Sequence, residues 1–234
     1  MYAASRIASS EVDAAITGGF EEVNNIIYGV LDRLGALAPK GCLASPFDRS
    51  RCGLVMGEGS AMLYLESTRG ERAGVTPYGY LTGFAAGRDR TATLSDWGTG
   101  QEAVATVMNA AIEDAGLERS QIDAVWASAN GSLRGDLVEA RALGHLFSGG
   151  IPPVVAVKSA IGEYAGAGAI HLASAFIAVK NQFIPATLGF QESLEEVKVP
   201  VSTKFEEREL RHILVNSISA GGGVISAVVS RRPV

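Results

Sequence analysis

Cysteine is scarce in this sequence. Only Cys42 and Cys52 occur, ten positions apart, with no C-x-x-C pair and no histidine beside them, so a thiolate metal centre is excluded and both read as small buried or loop thiols. A surplus of one charge is missing too. The net charge is −5 with acidic and basic residues interspersed, which leaves neither a basic stripe for nucleic acid nor a cationic amphipathic face for a membrane surface. No run of about eighteen apolar residues is free of charge, proline or glycine, and Met1 is not followed by a basic and then an apolar leader segment, so the expected compartment is the cytoplasm. Histidine is also rare: His145, His171 and His212 fall on helical or surface-like stretches, read as structural or exposed, and form no Ser-His-Asp pattern. What is present is ordinary for a folded protein. The 234 residues are 47% hydrophobic with 28 glycines, enough to bury a sizeable core in one or two domains.

Periodicity and punctuation predict alternating strands and helices. Val12 to Thr17 is a short apolar run stopped by Gly18-Gly19, which fits a buried strand; 25–34 has helical spacing and ends before Gly35. Residues 41–53 are a loop around Pro46-Phe47-Asp48, and 59–66 alternates as a strand expected to pair with 75–88. The charged, glycine-bearing stretch 67–74 is a plausible boundary. In the helix over 100–116, Val104, Val107, Met108, Ala111 and Ile112 share one face and Gly116 supplies the stop. A strand at 124–127 suits a central position covered on both faces, and 137–147 reads as a helix capped by Asp136. A strand at 154–157, a small-residue helix at 166–182, a charged surface stretch at 192–211 and a strand pair at 213–216 and 224–230 complete an α/β layered arrangement.

Four segments carry chemistry. The first runs Ile122-Asp123-Ala124-Val125-Trp126-Ala127-Ser128-Ala129-Asn130-Gly131-Ser132-Leu133-Arg134-Gly135-Asp136-Leu137-Val138-Glu139-Ala140-Arg141-Ala142-Leu143, and the second Val157-Lys158-Ser159-Ala160-Ile161-Gly162-Glu163-Tyr164-Ala165-Gly166-Ala167-Gly168. The third is Asn216-Ser217-Ile218-Ser219-Ala220-Gly221-Gly222-Gly223-Val224, and the fourth Pro46-Phe47-Asp48-Arg49-Ser50-Arg51-Cys52-Gly53-Leu54-Val55-Met56-Gly57-Glu58-Gly59. In this order they resemble segments of the β-ketoacyl synthase family, the condensing enzymes of fatty-acid and polyketide assembly. Aligned on Gly135-Asp136 and Glu139-Ala140, the first resembles strand, H-G-T-G-T, then G-D and a helix opening with E-A, which places Ser128 at the first catalytic histidine. The second resembles V-K-S-x-x-G-H-x-x-G-A-A-G and places Glu163 at the second. In the third, Ala220 stands for the gating phenylalanine of N-S-F-G-F-G-G-T-N. In the fourth, Cys52 replaces the aspartate of the R-D-G turn; it lies in a loop and is no nucleophile.

The resemblance implies a thiolase-like layered fold of two βαβαβαββ halves, with 79–234 as the complete C-terminal half and 1–78 as the rear of the N-terminal half. Met1 falls just after the position of the family's nucleophilic cysteine, so the chain is expected to lack it and to expose apolar surface that a partner covers. Family-site positions are then Ser128, Lys158 and Glu163, with Asn130, Asn216, Ala220, Gly221 and Gly222 as pocket residues, no metal and no cofactor. Ser128 is neither a cation nor a base near neutral pH, and an ionised Glu163 repels a developing oxyanion, so an ion pair with Lys158 is the simpler expectation. This pattern resembles the chain-length factors, ketosynthase-like subunits that lack the catalytic residues and pair with an active ketosynthase. The implied role is non-catalytic support of acyl-chain elongation in a hetero-oligomer with a cysteine-bearing ketosynthase and an acyl carrier protein. Two alternatives stay open: a subunit completing an acyltransferase or hydrolase site through Glu163 and Lys158, and a thiolase-fold binding or structural module.

Overall fold

The computed structural model describes residues 1–70, 74–93 and 96–234. Its centre is a five-stranded mixed sheet in the order β3-β9-β8-β4-β5, formed by β3 (Tyr80–Arg88), β4 (Ala124–Trp126), β5 (Val154–Val155), β8 (His212–Ile218) and β9 (Gly223–Ser230), while β6 (Phe183–Ile184) and β7 (Glu206–Glu207) form a separate antiparallel pair. Strands β4, β5 and β8 run parallel, while β9 is antiparallel to both β8 and β3. Side chains alternate across this sheet as the two-residue period of a strand requires. Val125, Leu214 and Val228 join the core under α3 (Gln101–Asp114) and α4 (Gly135–Leu146). Ala124, Trp126, Ile213, Val215 and Val229 instead pack on α6 (Ala167–Asn181). Trp126 is fully buried there, with its indole N–H donating to Ser174 at 3.0 Å, so its polar end is not left unpaired. Full burial of a large apolar side chain contributes about 1.5–3 kcal/mol relative to exposure.

A second layer of strands lies beyond α6. Here β1 (Ala14–Glu21) pairs antiparallel with β2 (Gly59–Glu66) over eight residues, flanked by α1 (Tyr2–Ala8) and α2 (Asn25–Arg33). Close approach to α6 depends on Gly166, where a Cβ would press within 3.0 Å of the Phe20 backbone. Asn24 caps α2 by accepting from the N–H groups of Ile26 and Ile27 at 3.1 and 3.0 Å. The far face of the β1–β2 ribbon and much of α2 expose Ile16, Phe20, Met62, Ile26 and Val30.

Several expectations need correction. β1 runs through Gly18-Gly19, excludes Val12, and is half exposed. β2 pairs with β1, and β3 pairs with β9, so 59–66 and 75–88 are not partners. The strand after Pro153 stops at Val155, because Val157 already begins the turn into α5 (Lys158–Ile161). Asp136 lies inside the first turn of α4 and does not cap it; its carboxylate is taken by distant backbone N–H groups. The charged stretch 192–211 is pinned by buried Leu194, Val199 and Leu210. His171 is buried inside α6, with its Nε2 unpaired among the described residues. The boundary expected at 67–74 includes residues 71–73, which lie outside the described residues.

Candidate functional site

The family-motif residues gather where the parallel strands β4, β5 and β8 end. Residues 127–132 leave β4 as an extended segment buried at every position. Lys158 opens the short helix α5 after β5, and Gly162 (φ 74°) turns the chain so that Glu163 comes back toward Lys158. The backbone of Glu163 is held from both sides, its N–H donating to Val55 at 2.8 Å and its carbonyl accepting from Gly57 at 3.0 Å. Gly57 and Gly162 allow this approach, since a side chain at either would overlap the other's backbone.

Lys158 Nζ donates to Glu163 Oε2 at 2.7 Å, and Asn130 Nδ2 donates to the same oxygen at 2.6 Å. The amide of Asn130 is oriented by its Oδ1, which accepts from Ser132 N–H at 3.0 Å. Lys158 also reaches Ser128 Oγ at 3.4 Å. That hydroxyl is already committed, accepting from Ile218 N–H at 3.1 Å and donating to the Ile218 carbonyl at 3.3 Å. Ser128, Asn130, Lys158 and Glu163 therefore form one network, of which Lys158 is almost wholly buried and Glu163 about a quarter exposed at the side chain.

Two acids underneath carry the loop. Asp136 accepts from Phe47, Asn130 and Gly131 N–H groups at 2.9, 3.0 and 3.1 Å, and Phe47 is held there in the left-handed region (φ 61°). Burial pushes the Asp136 carboxyl up to about 6 against the pull of those donors and of Arg51. One turn on, Glu139 Oε1 accepts from Ser128 N–H at 2.9 Å and Asn216 Nδ2 at 2.6 Å, and burial raises it to about 7. His171 is driven down to about 3 by burial and by the Lys158 charge. It sits close enough to feel that charge while remaining neutral.

The pocket residues named from the sequence divide. Asn130 is in the network. Asn216 lies beneath it, buried between Glu139 and Ser226, whose Oγ donates to it at 2.8 Å. Ala220 is exposed on the β8–β9 turn with Gly221, and Gly222 (φ 84°) packs on the backbone of Asp89. Sequence reading passed over Glu139 and Asp136 as supports, although their three-residue spacing on one helix face was visible. His171, read from the sequence as structural or exposed, is the structural case, buried inside a small-residue helix. Among the described residues no three His, Cys, Asp or Glu side chains converge to hold a metal.

Residues 1–70 match the N-terminal domain of β-ketoacyl synthases and residues 78–191 match their C-terminal domain. The chain belongs to the β-ketoacyl synthase family. It is 31% identical over 245 residues to the tetracenomycin polyketide synthase ketoacyl synthase beta subunit of Streptomyces glaucescens, an alignment covering 99% of this chain and 57% of that protein. It is 32% identical over 236 residues to 3-oxoacyl-(acyl-carrier-protein) synthase 2 of Mycobacterium bovis, covering 97% of this chain and 56% of the relative. The solved ishigamide ketosynthase/chain length factor superposes with a TM-score of 0.91 at 27% identity, over 99% of this chain and 57% of its own. This β-ketoacyl synthase homologue thus has the thiolase-like α/β fold and spans a little over half the length of the curated relatives it matches. No helix among its described residues is long and apolar enough to cross a membrane.

Proposed function

We propose that this chain is a non-catalytic, chain-length-factor-like subunit that supports decarboxylative acyl-chain elongation beside a cysteine-bearing ketosynthase, on acyl carrier protein, in the cytoplasm. In this reading residues 79–234 are the C-terminal thiolase-like half and 1–78 the rear part of the N-terminal half. The observation that carries it is the ion pair of Lys158 and Glu163 at 2.7 Å, closed by Asn130. By motif register Ser128 and Glu163 stand at the family's two histidine positions. Condensation needs donors where an enolate or thioester oxyanion gathers charge. Glu163 puts a carboxylate there, and Ser128 has its hydroxyl spent on Ile218. The one cation of the network is neutralised by the ion pair. Cys42 and Cys52 both lie in the loop before β2, away from any strand-to-helix turn that would activate a nucleophile. Pairing with another chain is supported by the exposed apolar side chains of β1, β2 and α2, a patch of the kind that marks an interaction surface.

The test is co-expression with a cysteine-bearing ketosynthase of the same genome and its acyl carrier protein, followed by malonyl-dependent elongation. Glu163→Gln should leave the elongation rate of the complex within about twofold, since a change of that size is under 1 kcal/mol of barrier. Loss of turnover in Glu163→Gln, with the complex still assembled, would instead assign Glu163 a chemical role and overturn the reading.

A further inference from the structure

The two cysteines, unremarkable as a sequence pattern, meet in the fold. Cys42 is exposed, Cys52 is half-buried, and the two thiols are near enough for Cys42 to raise the Cys52 pKa. The backbone brings them together independently of the thiols. Ala38 N–H donates to Leu54 at 2.8 Å and Leu54 N–H to Ala36 at 3.0 Å, so the two ends of the segment 39–53 are tied to each other. Cys42 follows one end through a turn in which its N–H donates to Pro39 at 3.0 Å, and Cys52 precedes the other.

We propose that Cys42 and Cys52 form a reversible dithiol–disulfide site that reacts with low-molecular-weight disulfides of the glutathione class. The accessible sulfur is Cys42. Its thiolate attacks one sulfur of R–S–S–R, forming a mixed disulfide and expelling RS⁻. The Cys52 sulfur, at the other end of the same tied loop, then attacks the Cys42 sulfur, gives its proton to the expelled thiolate, and releases the second RS⁻, which takes the proton Cys42 lost to water. Two electrons leave the dithiol, one disulfide replaces another, and two RSH are produced. Burial and the neighbouring Cys42 push the Cys52 thiol up to about 11, so it is protonated at rest and gives up its proton to the departing thiolate only as it attacks, which makes ring closure the slow step.

The closed ring would span the loop that supports the candidate site. Between the cysteines lie Phe47, bonded to Asp136, and Asp48, whose carboxylate accepts from Gln191 and Glu192 N–H groups. Arg51 donates to the carbonyls of Ser132 and Leu133, and Gly53 N–H to Gly131 at 3.1 Å. Oxidation therefore braces the segment that positions Asn130, and reduction frees it. This holds whether or not the chain is catalytic.

The experiment equilibrates the protein with glutathione and glutathione disulfide over a range of ratios, quenches with N-ethylmaleimide, and reads intact mass and a peptide map. In wild type both alkylatable thiols should vanish together, with no glutathione retained and a peptide joining Cys42 to Cys52. Cys52→Ser should stop at one glutathione on Cys42, and Cys42→Ser should stay unmodified. The oxidised wild type should melt several degrees above the reduced form, a shift absent in both variants. Stable glutathione on wild-type Cys42 at every ratio, or disulfides only between molecules, would overturn the proposal.

Discussion

Replacing Lys158 by methionine probes the centre of the network, because Met keeps most of the buried stem and deletes only the charge. Glu163 would lose its 2.7 Å partner and keep a single donor, Asn130, at a site about three-quarters buried. Removing one member of a buried ion pair costs roughly 3–5 kcal/mol. The residual exposure of Glu163 brings the expected loss below that range, to about 2–3 kcal/mol, or roughly 4–12 °C in Tm for a chain of this size. Glu163→Gln should cost less, since a glutamine oxygen still accepts from Asn130 while the Lys158 ammonium keeps a contact with Ser128. The double variant, with no charge left to strand, should recover much of the loss. Urea denaturation of the four proteins gives the coupling energy, expected above about 1 kcal/mol. Two small and additive single effects would refute the claim that this ion pair organises the site.

Asp136→Asn should lower stability by about 2–3 kcal/mol in urea, because one amide oxygen cannot receive the Phe47, Asn130 and Gly131 donors and its NH₂ faces them; an unchanged midpoint would contradict the support role. The pH dependence has a defined direction. Asp136 and Glu139 rise from 3.8 and 4.5 to about 6 and 7 by burial, so between those limits the native state holds more protons than the unfolded one. Tm should accordingly fall as pH rises from about 4 through 7 and level off above it, with a smaller fall in Glu139→Gln. Asp48 and Asp89 are held low by hydrogen bonds against the opposing effect of burial, and their contribution is lost only as pH drops below 3.8. Gly57→Ala should cost about 1–3 kcal/mol in thermal unfolding, since the added methyl would collide with the Ile161 carbonyl; a neutral outcome would show that the 55–57 segment is free to move away from Glu163.

The parts of the fold legible in the sequence are those set by local pattern. Val104, Val107, Met108, Ala111 and Ile112 recur at helical spacing and all are buried on α3. Ala124 to Ala127 reads as a strand covered on both faces, and β4 is buried throughout. Partners were not legible. The alternation of 59–66 says which side chains share a face but not which edge it joins, and the choice of β1 follows from the shared approach of both strands to α6. Asp136 failed as a cap for the same reason. Its type suits an N-cap, yet Phe47, 89 positions upstream, takes one of its oxygens. At the candidate site, motif order pointed to Ser128, Lys158 and Glu163, whereas the Asn130 bond to Glu163 and the Glu139 support arise only when separate loops meet.

Charge arrangement links these observations. Around Lys158, the network and its supports hold three carboxyls, Glu163, Asp136 and Glu139, and burial opposes ionisation of the latter two. No imidazole takes part in the hydrogen bonds of the network among the described residues, and His171, which feels the Lys158 charge, is kept neutral by burial and by that charge. An enolate formed beside Glu163 would add a second negative charge next to a carboxylate whose only cation is already engaged, at an effective dielectric where such pairs interact by roughly 4 kcal/mol at 4 Å. The arrangement favours a fixed, neutralised wall over a centre where charge develops, which supports the proposed non-catalytic role beside a partner.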